Sequence, residues 1–320
     1  MSYFIFGGSG FIGTHLIALI DNLYPGTKIY NLDIVENNHE GKSTYINCDV
    51  RSEINIDIPV TSEDIIFNFA AVHRTPGHPD QAYFETNIRG AENVCAFAEK
   101  FGIKKIVFTS SIAPYGAAED LKTEEMLPTP NTPYGISKLV AEKTHAIWQA
   151  KKTNERQLTI VRPGVVFGKG ENGNFTRLYW GIRGGKFFYP GRKDTIKACI
   201  YVKELVRFML YRLENHSEGV ELYNCTFEPA FTIEQIVETM KKATGLQRTI
   251  VKVPGSLLTT VASIVGPLGG KALGICPARV KKLMISTNIC GKKLADSGYK
   301  FHYTFEEAIK DWYRDNDGQC

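Results

Sequence analysis

Short apolar runs alternate with longer stretches of helical periodicity through the first half of the chain. The apolar runs, rich in β-branched and aromatic residues, predict strands at 3–6, 28–32, 44–47, 64–70, 104–110 and 158–163. Segments of helix length lie between them, at 11–22, 80–101 and 133–153. Strands and helices that alternate in this way predict a parallel sheet covered by helices on both faces.

The pattern changes after residue 162. Residues 168–195 are rich in glycine and predict a long loop that holds one helix. A strand at 198–202, a helix at 203–213 and a strand at 221–225 follow, and helices near 232–244 and 304–315 account for most of the remainder. We therefore expect a smaller and mostly helical C-terminal lobe beside the sheet.

The composition limits the class of protein, its partners and its compartment. The chain has 320 residues, 43% of them hydrophobic and 22% charged, as in a globular protein with a large core. The net charge of +4 comes without a basic block, so we expect no nucleic-acid partner, and it suits an anionic small molecule. Seven scattered cysteines without Cys-x-x-Cys spacing predict reduced thiols in the cytoplasm and no metal site. Because a strand begins at residue 3, we expect no signal peptide.

The sequence GGSGFIG follows the first strand and opens the first helix. Gly7 permits a tight turn, Gly10 permits close approach to a pyrophosphate, and Gly13 permits close packing of helix and strand. The helix N-terminus offers unpaired N–H groups to phosphates. Asp33, at the end of the second strand, can bind ribose hydroxyls and would repel the additional phosphate of NADP. This loop, which includes Phe11 and Ile12, and the acidic residue predict NAD as cofactor.

The predicted fold class is therefore α/β, a Rossmann-type doubly wound parallel sheet with a smaller, mostly helical C-terminal substrate lobe. The NAD-binding domain is predicted at 1–167 and 196–226. The substrate-binding lobe is predicted at 168–195 and 227–320.

Tyr134 and Lys138 stand four residues apart at the start of a predicted helix, which places both side chains on one face. An ammonium group beside a phenol favours the phenolate and lowers the phenol pKa from about 10, so the tyrosine can serve as a general base. Ser110 and Ser111 follow the fifth strand, at the sheet edge where open α/β sheets bind ligands. A serine hydroxyl there can hydrogen-bond the reacting oxygen of a substrate.

Together the motifs GGSGFIG, NFAAVH, TNIRG, FTSSIAPYG, PYGISK and RPGVVFG resemble the extended short-chain dehydrogenase/reductases, the NAD-dependent epimerase/dehydratase family, over essentially the whole chain. The resemblance implies that Tyr134 is the catalytic base, that Lys138 assists it and holds the nicotinamide ribose, and that Ser111 is the catalytic serine. Further cofactor contacts are implied at Asp49, Val50, Ala70, Ala71 and Pro163. Asn87 lies in the helix behind the site, and for it an active-site role and a polar core role are equal alternatives.

The segments AAVHR, GNFTRL, GGKFF and PARVKKL resemble a narrower branch. It contains 4-epimerases of N-acetylhexosamines on nucleotide or polyprenyl diphosphate and related 4-keto-sugar reductases. The resemblance implies substrate contacts at His73, Ser111, Asn174, Arg177 and Lys197. Lys197 stands where an arginine is usual, and it can neutralise phosphate only as a point charge. For His73 and Arg74, contact with the cofactor or the substrate and a solvated pair on the loop are equal interpretations.

The function implied by this resemblance is NAD-dependent 4-epimerisation of a diphosphate-linked hexose or N-acetylhexosamine through a 4-keto intermediate. A 4-keto-sugar reductase or dehydrogenase that exchanges NAD(P), and a non-catalytic NAD-binding regulator, stay open as alternatives. Dehydration is not expected, because Ile112 and Ala113 follow Ser111 where dehydratases carry an acidic pair. The family also implies a homodimer.

One uncharged stretch, residues 254–270, bears on whether the protein contacts a membrane. It is shorter than the ~20 residues that a spanning helix needs, and it contains two prolines and four glycines. Its apolar residues, Leu257 and Leu258 among them, recur at roughly helical spacing between Lys252 and Lys271. A buried helix of the lobe is the first interpretation. Peripheral contact with the inner face of a membrane is the second, and it would suit a polyprenyl-linked substrate.

Overall fold

The computed structural model describes residues 1–36, 40–73, 77–217, 219–256 and 284–320. Its strands are β1 (Ser2–Phe6), β2 (Lys28–Asp33), β3 (Thr44–Asn47), β4 (Ile65–Asn68), β5 (Lys105–Thr109), β6 (Ala118–Lys122), β7 (Gln157–Pro163), β8 (Val165–Phe167), β9 (Tyr189–Pro190), β10 (Ile196–Lys197), β11 (Cys199–Tyr201), β12 (Val220–Cys225), β13 (Phe231–Thr232), β14 (Lys252–Val253) and β15 (Thr287–Ile289). Its helices are α1 (Phe11–Leu23), α2 (Asp80–Tyr83), α3 (Arg89–Lys100), α4 (Pro133–Ala150), α5 (Asn174–Arg183), α6 (Val202–Glu214), α7 (Ile233–Thr244), α8 (Lys292–Ala295) and α9 (Phe305–Asp315). A π-helical turn, Phe84–Ile88, joins α2 to α3.

Seven parallel strands form the main sheet, in the order β3-β2-β1-β4-β5-β7-β12. The chain builds outward from β1 in one direction and then returns to build outward from β4 in the other. The carboxyl ends of β1 and β4 therefore flank the point where the strand order reverses, which is where sheets of this kind bind ligands. The predicted Rossmann-type doubly wound fold is confirmed.

The alternation of side chains along β1 produces a core on each face of the sheet. Tyr3 and Ile5 belong to the cluster that includes Leu16 of α1 and Phe208 of α6. Phe4 and Phe6 belong to the opposite cluster, with residues of α3 and α4 that include Trp148. A strand buried on both faces explains why four of its five residues, all but Ser2, are apolar.

The C-terminal part has its own aromatic core, in which Phe167 stacks on Phe175 with ring centroids 4.5 Å apart and Trp312 packs beside them. A second sheet, in the order β13-β10-β15-β6, lies in this part of the molecule. Its strands β10 and β13 have only two residues each, too few to show a period of two in the sequence. The lobe therefore contains more strand than predicted, and the predicted domain boundaries stay a prediction.

Within the described ranges, no helix is both long and apolar enough to cross a membrane. Several residues singled out in the sequence lie outside these ranges. They are Arg74, Leu257 and Leu258 with the rest of the uncharged stretch from residue 257 onward, and the PARVKKL segment at 277–283.

Candidate active site

The glycine loop after β1 is shaped by close backbone approach. Gly7 has φ of +77°, and a Cβ atom there would lie 2.7 Å from the backbone nitrogen of Ala70. A Cβ atom on Gly13 would lie 2.6 Å from the Cα atom of Gly8. Helix α1 starts after Gly10 with no side-chain cap and no acidic residue in its first turn. Its N–H groups therefore face the space beyond the sheet edge without a protein carboxylate, as a bound pyrophosphate requires.

Asp33 ends β2 beside this loop. Its Oδ2 atom accepts a hydrogen bond from the Ser9 backbone N–H at 3.1 Å, and its Oδ1 atom accepts one from the Val35 N–H at 3.2 Å. The Asn31 side chain donates to Ser9 Oγ at 3.0 Å and so ties the loop to the same strand. The carboxylate is thus held next to the phosphate-binding turn, and this set of residues fits the adenosine half of NAD.

The other predicted cofactor residues surround the same edge. Asp49 forms an ion pair with Arg51 at 2.6 Å, and hydrogen bonds from Arg51 hold the pKa of the Asp49 carboxyl below its usual value. Val50 is buried, and a Cβ atom on Gly90 would lie 2.8 Å from its Cγ2 atom. The carbonyl of Pro163 accepts a hydrogen bond from the Ile112 N–H at 3.2 Å, which places it behind the predicted catalytic serine. Three more predicted residues, Phe11, Ile12 and Ala71, are half-buried.

The structure places Ser111 and Tyr134 beside each other. Thr132 caps α4 by accepting the Gly135 N–H at 3.1 Å, so Tyr134 lies in the first turn of the helix. Burial raises the pKa of Tyr134, and hydrogen bonding by the side chain of Ser111 acts against it, so Ser111 lies close enough to act on the phenol. The Tyr134 ring packs 6.2 Å from the ring of Tyr83, centroid to centroid. The phenol is therefore positioned from both sides, at the carboxyl end of β5.

Lys138 lies one turn further along α4, and its side chain is only 2% exposed. Its Nζ atom is 4.3 Å from the centroid of the Phe108 ring. Burial lowers the pKa of Lys138 to about 7, and the charge of Glu142 acts in the opposite direction. Burial also raises the pKa of Tyr134, against the effect of its hydrogen bond with Ser111. The expected lowering of the phenol pKa by Lys138 is thus not seen in the protein alone, because desolvation dominates both groups.

A buried ion pair behind Lys138 was not predicted. Glu142 and Arg162 are each 3% exposed, and the guanidinium binds the carboxylate through two hydrogen bonds of 2.8 and 2.6 Å. The Ser110 hydroxyl donates to the same carboxylate. Although burial disfavours the guanidinium cation, Glu142 raises the pKa of Arg162. The signal in the sequence was the position of Glu142 four residues after Lys138, on the same face of the helix.

Asn87 joins the active-site loop to α4. Its Oδ1 atom accepts the Val72 N–H at 2.8 Å, and its Nδ2 atom donates to the Val72 carbonyl at 3.1 Å and to Ser137 Oγ at 2.8 Å. These bonds use both ends of the amide within the protein. They fit the interpretation of Asn87 as a polar core residue that holds the loop after β4.

The predicted substrate residues fall into separate groups. Asn174 begins α5 and is exposed, and its Oδ1 atom accepts a hydrogen bond from Arg177 Nη2 at 3.0 Å. Lys197, in β10, donates from Nζ to the carbonyl of Ile285 at 2.7 Å. His73 is exposed on the loop after β4. The structure thus brings Asn174 and Arg177 together. Lys197 instead makes a hydrogen bond to a main-chain carbonyl.

Comparison with known proteins agrees with this arrangement. Residues 3–226 match the profile of the NAD dependent epimerase/dehydratase family. The chain is 33% identical over 308 residues to the N-acetyl-α-D-glucosaminyl-diphospho-ditrans,octacis-undecaprenol 4-epimerase of Escherichia coli O157:H7, covering 95% of this chain and 92% of that protein.

Two further likenesses are weaker. The chain is 25% identical to 3β-hydroxysteroid-dehydrogenase/decarboxylase isoform 1 of Arabidopsis thaliana, covering 95% of this chain and 77% of that protein. The fold is similar to that of MoeE5 in complex with UDP-glucuronic acid and NAD, with a TM-score of 0.76, 20% identity, and coverage of 99% of this chain and 100% of that one.

Proposed function

Because the chain belongs to the NAD-dependent epimerase/dehydratase family and is an NAD-dependent epimerase of the extended short-chain dehydrogenase/reductase type, we propose that it inverts C4 of a diphosphate-linked hexose or N-acetylhexosamine. We further propose that the carrier is a polyprenyl diphosphate. The observation that carries this proposal is the 33% identity, over 95% of the chain, to an epimerase whose substrate is N-acetylglucosamine on undecaprenyl diphosphate.

The glycine loop and Asp33 would hold NAD, which would supply the hydride-accepting and hydride-donating chemistry that inversion at C4 needs. In our proposal Tyr134 takes the proton from the sugar 4-hydroxyl, and Ser111 hydrogen-bonds the same oxygen. Because burial raises the pKa of Tyr134, the phenol needs a neighbouring positive charge to become a base near neutral pH. Lys138 is placed to supply that charge when it is protonated.

The sugar has to turn over between the two hydride transfers, so the diphosphate must be held firmly and the sugar loosely. Asn174 and Arg177 support this division, because they lie together at the start of α5 and not among the catalytic groups. We propose that these two residues and Lys197 hold the diphosphate, and that His73 contacts the substrate or the cofactor.

The proposal is tested by incubating the purified protein with N-acetylglucosamine on a short polyprenyl diphosphate and separating the C4 epimers. We expect interconversion from either epimer, without added reductant and without net formation of NADH. We also expect NAD to remain with the protein through purification. A requirement for stoichiometric NADH or NADPH, with a 4-keto sugar as substrate, would instead establish the reductase alternative.

We also propose that the protein is a homodimer that pairs through α4. Three apolar side chains, Ile136, Val140 and Ile147, are exposed at helical spacing along this helix. Burial against a second copy would remove them from water. Light scattering should give a dimer mass for the natural protein and a monomer mass for Ile147→Asp; a monomeric natural protein would refute the dimer.

We infer that the enzyme works in the cytoplasm, at the inner face of a membrane. The six cysteines among the described residues are unpaired, which suits a reducing compartment. A lipid-linked substrate would have to be reached at the bilayer surface.

A further inference from the structure

Aromatic, aliphatic and basic side chains collect on the surface at the end of α5. We call this surface the α5 patch and define it by Trp180, Arg183, Lys186, Phe188, Arg248 and Val251. Trp180 is 44% exposed, Phe188 37% and Val251 61%. The three basic residues are exposed as well. Large apolar groups that are left in water next to cations need an explanation.

The patch is contiguous. Trp180, Arg183 and Lys186 line the same shallow depression. The Arg248 guanidinium donates to the Arg183 carbonyl at 3.4 Å, which joins the segment after α7 to the end of α5. Phe188 immediately precedes β9 and Val251 immediately precedes β14, and these two strands pair with each other. The six residues therefore form one surface although they come from two segments of the chain.

The cations of the patch have no carboxylate partner among the described residues. Within the part of the chain that the structure describes, none of Arg183, Lys186 and Arg248 takes part in an ion pair, whereas Lys193 and Lys241 nearby pair with glutamates. The Arg183 guanidinium lies 5.0 Å from the centroid of the Trp180 ring. An aromatic group at the apolar–aqueous boundary with unpaired cations around it is the composition that anionic lipid surfaces attract.

Helix α5 connects this surface to the proposed diphosphate residues. Exposed side chains recur every three residues along it, at Asn174, Arg177 and Trp180. Asn174 and Trp180 are six residues apart, which is roughly 9 Å along a helix axis. The interfacial layer on each side of a bilayer is about 5–8 Å deep. If α5 stands along the bilayer normal and Trp180 enters that layer, Asn174 lies at the aqueous border of the layer, within reach of the diphosphate of a membrane lipid.

We propose that the α5 patch docks on an anionic lipid bilayer and that α5 thereby presents Asn174 and Arg177 to the diphosphate of a lipid-linked sugar. The second half of this inference rests on the proposed function. The docking itself does not, so that the two can fail separately.

The test is flotation of the full-length protein with vesicles of phosphatidylglycerol and phosphatidylcholine in equal parts, beside vesicles of phosphatidylcholine alone. The patch variant is Trp180→Asp with Lys186→Glu. The matched control is Leu23→Asp with Lys28→Glu, which makes the same change in charge and also removes an exposed apolar side chain, between the end of α1 and the start of β2. A second patch variant, Lys186→Gln with Arg248→Gln, removes charge alone.

We expect the natural protein and the matched control to bind the anionic vesicles, with weaker binding to the neutral ones. The charge-only variant should lose about thirtyfold in binding, since each of its two basic residues contributes about 1 kcal/mol near such a surface and about 1.4 kcal/mol is tenfold. The patch variant, which changes more charge and also removes Trp180, should lose at least about thirtyfold. All variants should keep their turnover of a short, water-soluble polyprenyl-diphosphate sugar. Absence of binding by the natural protein, or equal loss in the patch variant and the control, would overturn the docking surface. Absence of turnover in the natural protein would instead overturn the proposed function.

Discussion

The interior behind Tyr134 and the surface at the end of α5 use the same residue types in opposite ways. Behind Tyr134, Lys138 lies over Phe108, and Arg162 lies 4.7 Å from the centroid of the Tyr115 ring. On the surface, Arg183 lies over Trp180 at a similar distance. In the interior the guanidinium has a carboxylate partner with two hydrogen bonds, whereas on the surface it has none among the described residues.

The difference follows from the cost of removing charge from water. A charge inside the protein is either paired, as at Arg162, or disfavoured by a shift of its pKa, as at Lys138, and a paired charge holds nearby groups in one geometry. A charge on the surface needs no internal partner and stays available to an external anion. The interior set therefore suits chemistry that needs fixed positions, and the surface set suits recognition of something outside the molecule.

This contrast is tested most sharply by removing the ion pair between Glu142 and Arg162. Glu142→Leu should lower the free energy of unfolding by about 3–5 kcal/mol, because Arg162 would be left buried without its carboxylate. Replacing both residues by leucine should recover most of that loss, since no uncompensated charge remains. Urea unfolding of the natural protein and the two variants measures both values. A single variant as stable as the natural protein would show that water reaches the pair.

Removal of the phenol hydroxyl should affect chemistry and not folding. Tyr134→Phe should lower turnover by at least ~10²-fold, which is about 2.7 kcal/mol, while binding of NAD and the unfolding midpoint stay the same. Tyr24→Phe is the matched control, because its hydroxyl also makes a hydrogen bond, to Glu214 at 2.6 Å on the surface. Retention of turnover by the Tyr134 variant would remove this residue from the proposed mechanism.

The charge of Lys138 should depend on Glu142. The carboxylate raises the pKa of Lys138, which burial lowers to about 7, so Glu142→Gln should lower it further. His145, the other titratable neighbour, is neutral there because burial lowers its pKa to about 4. NMR of labelled lysine should show the lower titration midpoint, and the alkaline decline of turnover should move to lower pH. An unchanged midpoint would mean that Glu142 only packs against Lys138.

The same depressed pKa has a consequence for stability. An unfolded lysine titrates near ~10.4, so between pH 7 and that value the unfolded chain binds the additional proton. The contribution of Lys138 to stability should therefore rise with pH across this window and be lost as pH falls through about 7. In Lys138→Met, the free energy of unfolding should therefore rise less steeply between pH 7 and pH ~10.4 than in the natural protein.

The smallest effect belongs to the surface. Lys186→Gln with Arg248→Gln should change the free energy of unfolding by no more than about 0.5 kcal/mol, because neither side chain has a carboxylate partner to lose among the residues that the structure describes. Thermal unfolding measures the change. A loss of several kcal/mol would show that these cations serve the fold, and the contrast with the interior would no longer hold.

The sequence was sufficient for the sheet and for the edge of the sheet at which the candidate residues lie, whereas their roles stay a prediction. Each strand of the main sheet is a run long enough to show its apolar pattern, and Ser111 could be placed at the ligand-binding edge because it follows such a run. Strands of two residues, such as β10 and β13, leave no pattern to detect. The partnership of Glu142 with Arg162 joins a helix to a strand, and the raised pKa of Tyr134 depends on packing around it. Neither can be deduced from local spacing.

The parallel arrangement of the seven strands also affects how the chain is assembled during synthesis. Parallel neighbours cannot be joined by a short hairpin, so every pairing waits for an intervening crossover to form. Strand β1 leaves the ribosome first but lies inside the sheet, and its neighbour β4 follows some sixty residues later. The edge strand β12 pairs with β7 only after residue 225 has been made. Such non-local pairing slows folding and leaves strand edges exposed meanwhile, which makes the nascent chain a candidate for chaperone binding.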